Sequence, residues 1–341
     1  MQGKWIAVLL VVAAGALQAE AQPLPAYRIT KSIPIGAPDR WDYVVLDPSG
    51  TRVYVAHGSD LTVVDLTAGK VAGTLNVGGI AHGAAAVPAL GKGYTDDGKA
   101  GVVVVFDLKT LKELKRIKAE PDADGMIYDP DSGHVFVVTG DSGKVGVIDP
   151  KTDTLVAEID GGGPLEFGVP AGNGKFYVDG EDKNEIVRMD LTKNVADAHW
   201  PLTGCKTPHG LAIDRAHMRL FASCANKVMN VMDANNGKIL ATLPIGAGTD
   251  AAQFDAKRGL AFSSNRDGTL SIVTEKGGSF VALPPVTTMQ GARTMALDPS
   301  SGRIYTVAAD TKVNTAVSEN DRARYQVIPG SAKLLVLEPV H

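Results

Sequence analysis

The chain lacks the short motifs that announce chemistry. It has no C-x-x-C-H for covalent haem, no H-E-x-x-H for a zinc protease, no G-x-S-x-G nucleophile turn and no phosphate-binding loop. No serine or cysteine nucleophile stands beside a readable base. An excess of basic residues is missing too: 34 Lys and Arg face 38 Asp and Glu, a formal net charge of −4, which disfavours nucleic acid as a principal partner. Amphipathic helical periods are scarce, whereas 38 Gly and 19 Pro accompany many Val and Thr, so the composition points to short strands and tight turns.

The N-terminus reads as an address. Lys4 supplies a short positive region, residues 5–17 form an apolar stretch, and Ala19-Glu20-Ala21 before Gln22 has the form of a cleavage site. That stretch is shorter than the roughly 20 residues needed to cross a bilayer, and nothing later is long enough. No cysteine follows it to carry a lipid. The expectation is a signal peptide over residues 1–21 and a periplasmic or secreted mature protein. Export also bears on the chain's two cysteines, Cys205 and Cys224, because an oxidising compartment favours their pairing.

One strand-turn-strand phrase recurs: YVVLDPSGTRVYVAH from Tyr43, MIYDPDSGHVFVVTG from Met126, LAIDRAHMRLFASC from Leu211, QFDAKRGLAFSS from Gln253 and MALDPSSGRIYTVAA from Met295. Looser copies, AAAVPALGKGYTD from Ala84 and FGVPAGNGKFYVD from Phe167, bring the number to seven. Apolar residues lead into Asp-Pro or Pro/Gly turns, where Asp bonds its own turn backbone, Pro presets φ and Gly accepts positive φ. A third strand follows each hairpin and most end on an aspartate: Asp65, Asp107, Asp149, Asp190 and Asp233, read as turn-formers rather than catalysts. The sixth copy has Thr274 there.

Four strands in a period of about 42 residues make a propeller blade. The expectation is an all-β, seven-bladed β-propeller with four antiparallel strands per blade, in one domain over residues 22–341. The seventh repeat has three strands near the C-terminus, at 293–298, 303–307 and 333–338. RITKSIPIGA at 28–37 matches KILATLPIGA at 238–247, so a closing strand over residues 27–36 is expected beside Leu334 to Leu337. A polar insertion over residues 310–331 should overhang the channel mouth, as a lid or as a disordered segment.

First strands line a propeller's channel, so the residue opening each one is informative. These are Asp42, His82, Asp124, Glu166, His209, Asp250 and Arg293, spaced by 40, 42, 42, 43, 41 and 43, with Arg40 and Trp41 just before Asp42. All seven are ionisable. Solvated positions would often hold Ser, Thr or Asn instead. Two tasks suit such a ring. One is holding a divalent cation, with Asp42, Asp124, Glu166 and Asp250 as ligands; the other is gripping a polar ligand, with Arg293 forking a carboxylate or phosphate. His82 and His209 fall too far apart around the ring to form a zinc pair. Cys205 precedes His209 by four residues, and Cys224 ends the antiparallel neighbouring strand, so a disulfide near the mouth is expected.

The phrases VYVAH, VFVVT and FYVDG, each followed by a V-x-V-D type strand, resemble the YVTN-type repeats of exported propellers, closest to the YncE-like group. The resemblance spans nearly the whole mature chain and implies architecture more than function. The leading expectation is a monomeric binding or scaffold protein engaging a small polar ligand or a protein partner at the charged face. The alternatives are a metal-assisted hydrolase of the lactonase type and an accessory to a periplasmic, quinoprotein-like redox system.

Overall fold

The computed structural model describes residues 26–318 and 324–340; the signal peptide expected over residues 1–21 and its expected cleavage point lie outside these residues. The chain folds into seven four-stranded antiparallel blades arranged as a ring. Six take their strands consecutively. The first contains Val44–Leu46, Arg52–His57, Asp60–Asp65 and Lys70–Asn76.

The turns form for the reason the sequence suggests. Asp65 Oδ1 accepts the N–H of Ala68 at 2.8 Å, Asp107 Oδ1 that of Thr110 at 2.7 Å and Asp149 Oδ1 that of Lys151 at 2.8 Å. Asp190 and Asp233 do the same for Thr192 and Asn235. These carboxylates belong to the turns.

Burial falls from the ring's interior to its rim. Second and third strands are buried on both faces, as in RVYVAH and DLTVVD, because each blade stacks between two others. Fourth strands alternate exposed and half-buried side chains and form the outer edge. Aromatic residues tie neighbours together: Phe136 and Phe176 pack at 4.9 Å between blades three and four. Tyr94 donates to Asp153 Oδ1 of blade three at 2.6 Å, and Tyr177 to the Ala234 carbonyl of blade five at 2.6 Å.

The N-terminal strand completes the seventh blade, whose order from rim to channel is Ala26–Pro34, Lys333–Val340, Ile304–Ala308, Met295–Leu297. Its register places Ile33 opposite Leu334. The strand ends at Pro34, two residues short of expectation, and Ile35 and Gly36 then both donate to the Ala332 carbonyl. Tyr27 packs edge-on against Phe262 of blade six at 5.3 Å, so this one strand joins chain ends and adjacent blades.

Blade six departs from the pattern where Thr274 replaces the turn aspartate. Its third strand runs on through Thr269–Lys276, and its rim is split into Ser279–Ala282 and Val286–Thr287 around Pro284 and Pro285. Proline cannot donate to a ladder, which accounts for the break. The insertion at 310–331 contains a small hairpin, Thr311–Val313 with Tyr325–Val327; residues 319–323 lie outside the description.

Cys205 and Cys224 are bonded, with Cα atoms 5.5 Å apart, and Pro208 pairs with Cys224 in the sheet, so the link pins the approach to His209. Among the described residues no helix is long and apolar enough to cross a membrane. With the disulfide, this is compatible with an extracellular or periplasmic location.

Ring closure makes a sharp energetic prediction. Ile33→Ala and Leu334→Ala, each removing a fully buried side chain, should each cost about 2–5 kcal/mol in chemical denaturation. The double variant should lose less than the sum, because the two side chains face each other. Strict additivity would mean the chain ends do not meet in solution.

Candidate functional site

The seven ring positions converge at one end of the channel. Neighbouring first strands are laced there by backbone contacts: Tyr43 N–H donates to the His82 carbonyl at 3.0 Å, and Thr294 Oγ1 to the Asp42 carbonyl at 2.8 Å. Asp42 is close enough in space to feel Arg293, Asp250, His82 and Glu166 together. Glu166 lies in the ring although blade four begins with a register shift between Leu165 and Gly168.

The floor is aromatic. Tyr43 of blade one reaches across and donates from its hydroxyl to the Glu166 carbonyl of blade four at 3.2 Å, while its ring packs 5.2 Å from that of Phe167. Beneath this plug the first strands enclose a separate cavity of about 250 Å³, with Val44, Leu46, Met126, Phe167 and Leu297 among its lining. The charged ring is therefore the wall of a cup rather than of an open tunnel.

On one side of the cup His82 is held by Asp96, a fully buried carboxylate on the second strand of blade two. Asp96 accepts the backbone N–H groups of His82 and Gly83 at 3.0 and 2.8 Å and meets His82 Nδ1 at 2.8 Å. The Ala123 carbonyl is also 3.0 Å from Nδ1. With acceptors alone around it, Nδ1 carries the proton, and Nε2 is the atom that titrates. Burial opposes charge on the imidazole, yet the Asp96 bond and the surrounding carboxylates leave its pKa raised.

On the opposite side Glu166, His209 and Asp250 come from three successive blades. A carboxylate oxygen of each acid and an imidazole nitrogen lie within 4.8 Å of one another. His209 Nδ1 is 3.9 Å from Glu166 Oε1, too far to bond, and is buried without a partner; Nε2 is 3.8 Å from Glu181 Oε1. Among the described residues, this is the group placed to hold a metal ion. The trio overlaps the sequence-based set in Glu166 and Asp250, adds His209, and leaves out Asp42 and Asp124.

Arg293 is already engaged. One guanidinium nitrogen pairs with Asp250 and another donates to the Trp41 carbonyl at 2.8 Å, so it clasps blades six, seven and one. Arg40 and Trp41 stand outside the ring, on the wall of a side cavity that Arg293 also reaches.

The cup is overloaded with acid. Burial, with Arg293 opposing it and Asp250 adding to it, pushes Asp42 up to about 7. Burial beside Glu166 and Asp42 holds Asp124 well above the carboxylate range, and burial also raises Glu166 against the pull of His209. Behind them Asp179, fully buried with both oxygens unpartnered, is raised in the same way by burial and by Glu166 and Glu181.

Asp96, Glu181, Asp179 and Tyr43 were not among the residues singled out from sequence. Asp96 and Asp179 left a trace. They share one register position of the second strand, where the other blades carry Ala56, Val138, Ser223, Ser264 and Val307.

No family model and no curated protein matches this chain. Its architecture is shared by solved structures, among them a chain of the Kuenenia stuttgartiensis hydrazine synthase. That chain has 16% sequence identity and a TM-score of 0.67 over 77% of this chain and 91% of its own. At such identity the likeness concerns the fold and carries no chemistry.

The acid load has a measurable consequence. A carboxyl whose pKa is higher folded than unfolded holds a proton that the unfolded chain releases, so stability falls as pH rises between the two values. The raised histidines act in the same direction, because their protonated contribution disappears as pH passes their folded pKa. The metal-free protein should melt several degrees lower at about pH 8 than at about pH 5, and Asp42→Asn should flatten that slope. A melting temperature that rises over this range would contradict the assignment.

Proposed function

We propose that the protein is an exported binding protein whose channel mouth captures a divalent cation. The observation that carries this reading is the convergence of Glu166, His209 and Asp250 within a cup whose carboxylates outnumber its cations. Like charges at short range in a partly dry site repel unless a counter-charge joins them, and a divalent cation offsets two at once. Glu166 and Asp250 supply hard oxygen ligands and His209 a nitrogen. A mixed set of this kind suits zinc or manganese better than calcium. Glu181, near His209 Nε2, would orient the imidazole from behind. Tyr43 and Phe167 pack across the channel below the charged ring, which fits capture better than passage. Kinship with the YVTN-type propellers is proposed on the repeated strands themselves, and export on the N-terminal leader together with the Cys205–Cys224 bond.

A second reading is favoured by the His82–Asp96 pair. A buried carboxylate that fixes an imidazole tautomer and leaves Nε2 as the basic nitrogen is how a general base is set. With a cation polarising a carbonyl opposite, the site would be a metal-assisted hydrolase of the lactonase type.

Protein purified without chelator should retain about one equivalent of a divalent cation by elemental analysis, and titration calorimetry should show Glu166→Gln and His209→Ala binding it at least about tenfold more weakly. Added cation should also remove most of the loss of stability toward high pH. Failure of zinc, manganese and calcium alike to bind would end the cation reading. Hydrolysis of simple lactones that is lost in His82→Ala, with the metal retained, would move the assignment to the second.

A further inference from the structure

The cavity of about 250 Å³ below Tyr43 and Phe167 is the lower compartment of the channel. It runs from that aromatic pair down to Leu46, Pro170 and Leu297, which adjoin the first hairpin turns at the end of the ring opposite the cup. Among the described residues none with a charge lines it. Val45, Leu46, Ile127 and Val169 line it and stay half-buried, although the second-strand aromatics behind them, such as Tyr54 and Phe136, are packed away from solvent. A concave space walled by apolar side chains, with very few polar groups among them, has the character of a small-molecule site.

A second, independent feature points to a guest. Each blade pairs a first-strand residue with a second-strand aromatic, as Val45 with Tyr54 and Ile127 with Phe136. Blade four has Val169 at this position, and blades two, five and seven have alanine. Blade six breaks the pattern with Gln253, opposite Phe262, and Gln253 lines the cavity. Its side chain is half-buried and makes no hydrogen bond among the described residues, and its amide atoms are not sealed from solvent. An amide with donor and acceptor both free, set in an apolar wall, is a fixed handle for one polar group of a guest.

We propose that the lower channel binds a small uncharged molecule, with an aromatic or alicyclic body of about ten to twelve non-hydrogen atoms and one hydroxyl. The body fills the space between Val45, Ile127 and Val169 under the Phe167 ring, and the hydroxyl bonds the Gln253 amide. Neutrality follows from the walls. Innermost strands pair along one edge only, so backbone groups at the other edge can bond a neutral polar group, but no described lining residue balances a charge. An anion would also lie beneath the acids of the cup. The site goes beyond the cation reading and stands without it.

The probe is 2-naphthol, a neutral alcohol of about eleven non-hydrogen atoms, followed by titration calorimetry at about pH 7, with 2-naphthoate as the charged compound on the same rings. 2-Naphthol should bind at one site with a dissociation constant below about 1 mM, and 2-naphthoate at least about tenfold more weakly. Gln253→Leu keeps the volume and removes the amide, and should weaken 2-naphthol about three- to tenfold. Val45→Phe fills the cavity and should take binding beyond detection; if that variant unfolds, Gln253→Leu still tests the site. Affinity should be the same with EDTA and in Glu166→Gln, so loss of cation binding at the cup leaves this result untouched. Equal binding of the two compounds, unchanged affinity in Gln253→Leu, or no saturable binding up to about 1 mM would overturn the proposal.

Discussion

Each blade of this ring hides a sheet face only against its neighbour, so the stability of any one blade is borrowed from the next and finally from the pair that closes the circle. That pair is the first described strand against the last, Ala26–Pro34 with Lys333–Val340. Everything at the channel mouth depends on it. Arg293 bonds Trp41 and pairs with Asp250, and Thr294 bonds Asp42, across the junction between blades seven and one that this strand seals. An open ring would part the side cavity and let the acids of the cup relax away from one another.

Inside the closed ring, approximate seven-fold repetition brings equivalent positions to one place, and the chemistry comes from how those positions differ. A repeat delivers like to like; here it delivers mostly carboxylates, and the chain answers with unequal neutralisation. Arg293 relieves Asp250, Asp96 orients His82, and burial holds the carboxyls of Asp42 and Asp124 above their ordinary range. The cup holds charge under constraint. The cavity beside it carries acids and bases together, and the two share one guanidinium, that of Arg293.

The architecture was legible in the sequence because it rests on local signals repeated many times. The turn aspartates, the strand phrases and the match between residues 28–37 and 238–247 each report a short stretch of backbone, and all agree with the ring observed. The ring of ionisable residues was legible for the same reason. What escaped was set by partners distant in the chain. Asp96 reads as one polar residue in a strand until His82 is seen against it, and Tyr43 reads as a strand aromatic until its hydroxyl meets Glu166 of another blade. Arg293 was expected to be available for a ligand's carboxylate and turns out to clasp Asp250. Arg40 and Trp41 were grouped with the ring by adjacency in sequence, whereas both line the neighbouring cavity.

The order in which the ring is completed also says something about how the protein is made. The strand at Ala26–Pro34 leaves the ribosome well before its partner at Lys333–Val340. Until that partner emerges the strand has nothing to pair with, and blade seven stays incomplete. The nascent chain therefore remains an unclosed arc while the blades between are being made. Closure is a late, long-range event, and the channel mouth can be assembled only once it has happened.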